Sequence, residues 1–152
     1  MIVYRVGKSR FAHDLSGEGA RLFGGRWNYP LTPCIYTSGS RALAILEYSV
    51  NVNIHTIPRA LSITCIEIPD TGILQLQQAD LPGNWKEMPA PFSTREFGTG
   101  LLQGPNSPII EVPSAIVPEE VNYLLNPLHP LHQKCKILSV KDFVYDVRIK
   151  MV

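Results

Sequence analysis

Cys34-Ile35-Tyr36-Thr37, then Ser38-Gly39-Ser40, then Arg41-Ala42-Leu43-Ala44-Ile45-Leu46-Glu47-Tyr48-Ser49-Val50 is a stretch that changes periodicity once. Its first four residues predict a short strand. Ser38 or Ser40 predicts an N-cap, and the apolar run beyond predicts a helix to about Val50. Tyr36 and Glu47 therefore flank one strand-to-helix turn.

Outward from that turn the elements are short and mixed. Ile2 to Val6 predicts a first strand, and 15–33, rich in Gly, Ser, Asn and Pro, predicts a long loop of the kind that often carries function. Leu61 to Ile68 alternates apolar with mostly polar residues up to Pro69, the pattern of a strand with one buried face. Ile73 to Leu76, Pro108 to Val112, Ser114 to Val117 and Lys136 to Val140 predict further extended segments. Ser93-x-x-Glu96 predicts a capping box opening a helix to about Leu102, with Gly98 and Gly100 against it. Strands and helices without regular βαβ alternation predict an α+β fold with a mixed, largely antiparallel sheet. With no Walker or Rossmann glycine pattern, any nucleotide has to be held by side chains and irregular loops.

Composition narrows the function classes. At 152 residues, one domain spanning 1–152 is expected, long enough to bury a real core. Apolar residues at 45% against charged residues at 18% exclude a disordered chain. A formal net charge of +1 with interspersed signs gives no field for wrapping a nucleic-acid backbone. The N-terminus lacks the apolar core of a signal peptide and no stretch approaches a membrane span, so a cytoplasmic protein is expected. Cys34, Cys65 and Cys135 are widely spaced and predict buried thiols, neither a disulfide framework nor a zinc knot. The 13 prolines, concentrated in 105–130, predict short elements joined by defined turns.

Two features point to chemistry. In Gly24-Gly25-Arg26-Trp27-Asn28 the glycines allow φ > 0 or close approach, and the guanidinium that follows suits a two-pronged grip on carboxylate or phosphate. Leu43, Leu46, Glu47 and Val50 fall at i, i+3, i+4 and i+7, which puts a carboxylate on an apolar helix face. Such an acid has to be paired or used. Pairing with Arg26 is one solution; a surface arginine and a part-exposed glutamate are the bland ones. Arg21 and Arg41 lie close in sequence and are further candidates for an anion. Tyr36 reads as a core aromatic with a surface-reaching hydroxyl or as a stacking platform. Ser114, between Pro113 and Pro118, has no Gly-x-Ser-x-Gly elbow, which disfavours a nucleophile and leaves hydrogen bonding to a ligand. His129-Pro130-Leu131-His132 is disfavoured as a metal pair because Pro130 disrupts helical alignment; Asn126-Pro127 and His129-Pro130 predict a turn capped by their own side chains.

Gly24 to Asn28, Ile35-Tyr36-Thr37, Ala44 to Glu47, Val112-Pro113-Ser114 and Asn122 to His129-Pro130 occur in the order of the RES domain family, which this chain resembles over nearly its whole length. The family takes its name from an arginine, a glutamate and a serine, matched here by Arg26, Glu47 and Ser114, with Tyr36 matching its active-site tyrosine. The resemblance implies a fold similar to ADP-ribosyltransferases and a toxin that consumes NAD as a substrate, with no metal or other cofactor. It implies restraint by an Xre-type, DNA-binding antitoxin, and it admits a homodimer or a larger complex with that partner. On this reading Glu47 stabilises charge at the anomeric carbon, Arg26 holds the pyrophosphate, Tyr36 faces the nicotinamide side and Ser114 hydrogen-bonds ribose or amide. Glycohydrolysis or phosphorolysis, ADP-ribosyl transfer to a protein, and a non-catalytic module in which Arg26 and Glu47 merely pair are the three alternatives.

Overall fold

The computed structural model describes residues 1–104 and 107–151. Seven strands form one sheet: β1 (Ile2–Lys8), β2 (Ile35–Ser38), β3 (Leu61–Glu67), β4 (Ile73–Gln75), β5 (Ile109–Pro113), β6 (Val121–Leu125) and β7 (Lys136–Phe143). Their spatial order is β4-β5-β6-β2-β1-β3-β7, and only β4 and β5 pair in parallel. The described residues also form three α-helices, α1 (Glu18–Phe23), α2 (Arg41–Asn51) and α3 (Phe92–Gln103), and several short 3-10 helices. The expected α+β architecture with a mixed, largely antiparallel sheet is the observed one. No helix among the described residues is long and apolar enough to cross a membrane.

The β5–β6–β2 part of the sheet is covered on both faces because these strands carry apolar residues in runs instead of strict alternation. Ile109 and Leu125 join Val3, Ile35 and Ile66 in one core, while Ile110, Val112 and Leu124 join Trp27, Trp85 and Leu102 in the other. The three thiols are free and buried, as expected.

Helix α2 starts where predicted: Ser40 is extended and its hydroxyl accepts a hydrogen bond from the Leu43 amide. Its apolar face is narrower than the spacing implied, since Leu43, Ala44 and Ser49 are buried while Val50 is exposed. Three other expectations fail for local reasons. The 15–33 loop contains α1, a helix entered at Gly17 with φ 74° and left at Gly24 with φ 71°. Helix α3 has no capping box; Pro91 stands at its N-cap and the Ser93 hydroxyl bonds Asn84 Oδ1 instead. The segment 114–117 is a turn, because Ser114 Oγ accepts the amides of Ile116 and Val117 and draws the chain around itself. Strand β6 had no counterpart in the sequence reading.

Candidate active site

The sheet face carrying Tyr4, Tyr36, Ser38 and Leu124 opens into a cleft of about 940 Å³, walled on the far side by the 24–27 loop, the 86–90 segment and α2. That volume is within the range of small-molecule sites. Arg26, Tyr36 and Glu47 line it. Ser114 lies just behind the wall, fully buried.

Glu47 is fixed by two partners far away in sequence. Ser114 Oγ donates to its Oε1 at 2.7 Å, and Asn122 Nδ2 donates to the same oxygen at 2.7 Å. Behind them, Ser38 Oγ donates to Asn122 Oδ1 at 2.7 Å. That last bond follows from register, because Ser38 and Asn122 are cross-strand partners in the β2–β6 pair. Both anchoring bonds converge on Oε1, so Oε2 is left without a protein partner among the described residues. The acid on an apolar face is thus held by a serine and an amide.

No Arg26–Glu47 ion pair forms. Arg26 Nη1 donates to the carbonyls of Trp85 and Glu87, each at 2.9 Å, and Nη2 reaches Met88 Sδ at 2.8 Å. The expected two-pronged grip is spent largely on the protein's own backbone; of five N–H donors, the Nε–H and one Nη2–H remain. Burial lowers the Arg26 pKa from its ordinary value, and Glu47 and then Tyr36 oppose this; the guanidinium stays protonated. Arg21 pairs with Glu18 at 2.6 Å, and Arg41 lies over the Tyr4 ring at 4.6 Å; neither lines the cleft.

Tyr36 holds the glycine loop shut. Its hydroxyl donates to Asn28 Oδ1 at 2.6 Å and accepts from the Trp27 amide at 3.0 Å. Gly24 supplies a positive φ, and Gly25 supplies space: a Cβ there would fall 2.6 Å from the Tyr36 hydroxyl. Burial, with the Cys34 thiol adding to it, pushes the phenol well above its ordinary value, against the Trp27 amide and the charges of Arg26 and Arg95. Trp27 is buried under this loop, stacked edge-on against Phe97 of α3.

The Ser114 hydroxyl gives its proton to Glu47 and accepts two amides, so no free hydrogen remains for the ribose or amide contact expected of it. Asn126 Oδ1 accepts the Leu128 amide and caps a turn, His129 Nδ1 accepts the Leu131 amide and caps a short 3-10 helix at Pro130–Lys134, and His132 Nε2 meets the Leu15 carbonyl. Sequence reasoning missed Asn122, Asn28 and Arg95 as site residues. Asn122 opens one of the stretches that carry the family resemblance, but its position opposite Ser38 needed β6 to be recognised first.

The RES domain matches residues 2–147. The chain belongs to the RES domain family. Toxin Res from Yersinia enterocolitica serotype O:8 is 39% identical over 153 residues, spanning 99% of this chain and 100% of its own length. The Prs ADP-ribosylating toxin of a Sphingobium species is 39% identical over 141 residues, spanning 91% and 88% respectively. A chain of the crystal structure of the M. tuberculosis MbcT–MbcA toxin–antitoxin complex matches with a TM-score of 0.71 at 22% identity, covering 94% of this chain and 84% of that one. At that identity the likeness concerns fold alone.

Proposed function

We propose that this RES domain protein is a toxin that cleaves the nicotinamide–ribose bond of NAD. The observation carrying the proposal is Glu47: one carboxylate oxygen is pinned by Ser114 and Asn122, and the other is free at the wall of a dinucleotide-sized cleft. As the C–N bond breaks, its electron pair returns to the pyridinium nitrogen, nicotinamide leaves neutral, and positive charge builds on the sugar. A fixed carboxylate beside the anomeric carbon lowers that barrier without having to reorganise. Water adding to C1′ loses a proton, for which Glu47 is the nearest base candidate, and the products are ADP-ribose and nicotinamide.

Tyr36, its hydroxyl immobilised, offers the nicotinamide side a flat ring wall. Ser114 and Asn122 are positioning residues acting through Glu47. Arg26 braces the 85–88 segment and turns its remaining donors toward the substrate's anionic side. Relatives named as toxins, and the toxin–antitoxin complex that shares the fold, support an antitoxin partner; that it is of the Xre type and covers the cleft is what the family resemblance implies. The relative named as ADP-ribosylating supports a second reading, transfer of ADP-ribose to a protein.

Purified full-length chain, free of antitoxin, is to be assayed for NAD loss and nicotinamide release with and without phosphate, alongside Glu47→Gln. Loss by the wild type alone is the expected result, and phosphate dependence separates phosphorolysis from hydrolysis. Equal turnover by a folded Glu47→Gln protein sinks the assignment. Labelled protein in lysate without free ADP-ribose favours transfer.

A further inference from the structure

Four cationic side chains, Arg5, Arg26, Lys86 and Arg95, line the cleft against one carboxylate, Glu47. Three of the four have partners. Arg5 is taken up by the carbonyls of Phe11, Ala12 and Asp14, and Arg26 by the 85–88 segment. Lys86 Nζ lies 5.7 Å from the centroid of the Trp85 ring. Arg95 donates to no other described residue, and its Nε is buried without an acceptor. That Nε–H is enclosed by protein; the Nη donors have no partner among the described residues and Arg95 lines the cleft, so they are the donors left for an acceptor there.

Arg95 is also held in place. Gly98 and Thr99 follow it at i+3 and i+4 and therefore share its helix face. That face is fastened to the loop that carries Arg26. The Gly98 backbone lies so close to the Trp27 carbonyl that no Cβ fits, Thr99 Oγ1 accepts the Tyr29 amide at 2.9 Å, and Gln103 Nε2 donates to Thr32 Oγ1 at 3.1 Å. The two arginines thus stand on one rigid unit, on the Tyr36 side of the cleft, where the charge of Arg95 reaches the phenol. A fork of parallel N–H donors matches a pair of phosphoryl oxygens and gains little from a neutral ribose or nicotinamide.

We infer that Arg95 anchors the pyrophosphate of the dinucleotide substrate, leaving Arg26 chiefly to brace the cleft wall. This rests on the dinucleotide reading above. The test is calorimetric titration of full-length Glu47→Gln protein, chosen because turnover is expected to be lost, with inorganic pyrophosphate, ADP-ribose, orthophosphate and nicotinamide riboside. Adding Arg95→Ala is expected to weaken pyrophosphate and ADP-ribose about ten- to hundredfold, and nicotinamide riboside by less than roughly twofold. Arg95→Lys keeps the charge without the fork and falls between, which guards against an Arg95→Ala variant that misfolds. Unchanged affinity for pyrophosphate and ADP-ribose overturns the inference, as does failure of the Glu47→Gln parent to bind either. Equal loss for nicotinamide riboside marks a structural role and overturns it too, and loss confined to orthophosphate reassigns the site to the free ion. Absence of NAD turnover in the wild type would overturn the proposed reaction while leaving this binding result standing.

Discussion

Replacing Ser114 with alanine removes one hydroxyl that serves three partners. Its bond to the Glu47 carboxylate is charge-assisted, worth ~1.5–3 kcal/mol when well buried and less here because Glu47 is half-buried. The amides of Ile116 and Val117 lose their acceptor as well, but both residues are part-exposed and water replaces some of what is lost. The net cost comes to about 2–3 kcal/mol, which for a domain of this size lowers the melting temperature by about 4–12 °C. Catalysis should suffer separately. With only Asn122 left to hold it, Glu47 loses its fixed direction, and kcat for NAD consumption should fall about ten- to hundredfold with KM little changed. Urea denaturation and steady-state kinetics on the same preparation read both effects. An unaltered denaturation midpoint, or a raised KM at wild-type kcat, would refute the reasoning and make Ser114 a ligand contact.

Asn122→Asp sets a second carboxylate where an amide donor stood 2.7 Å from Glu47 Oε1. Like charges so close share a proton, and the acid limb of the pH–rate profile should rise by at least about one unit; an unmoved limb would detach Asn122 from the site. Gly25→Ala drives a methyl group into the Tyr36 hydroxyl and should cost ~1–3 kcal/mol, read by urea midpoint, with loss of activity; a wild-type midpoint would contradict the close packing. Tyr36→Phe strands the Asn28 oxygen and the Trp27 amide, so it should be less stable at neutral pH by ~1–3 kcal/mol. Because the folded phenol titrates well above its ordinary value of 10.0, the folded state binds the extra proton, and wild-type stability should fall as pH climbs above that value. The variant should fall less steeply there, and parallel alkaline curves for the two proteins would count against a buried neutral phenol.

The features legible in the sequence were those whose physics is local. Ser40 caps α2 through an amide three residues away, Asn126 caps a turn and His129 the short helix after it, and Leu61 to Glu67 forms the expected strand, although Ser62 and Thr64 are buried along with Leu61 and Cys65, so both of its faces are covered and not one. The short helix α1 was hidden because six residues between two positive-φ glycines look like loop. Ser114 to Val117 reads as strand by composition and becomes a turn through one hydroxyl. At the site, the spacing of Glu47 from Leu43 and Leu46 showed that the acid needed a partner but could not identify it. Arg26 was near in sequence, whereas the true partners come from the β5–β6 connection and from β6, and a pairing set by sheet register leaves no local trace.

The bonds to Glu47 also set an order in time. Glu47 is separated from Ser114 by 67 positions and from Asn122 by 75. A nascent chain leaving the ribosome at ~5–20 residues per second exposes the acid seconds before either anchor is made. Until β6 pairs with β2, the carboxylate sits on a helix with nothing to aim it. A truncated or stalled product ending before Asn122 therefore carries the glutamate, the arginine and the tyrosine and still lacks an assembled centre, so synthesis of the 75 positions from Glu47 to Asn122 is an interval in which the centre cannot assemble.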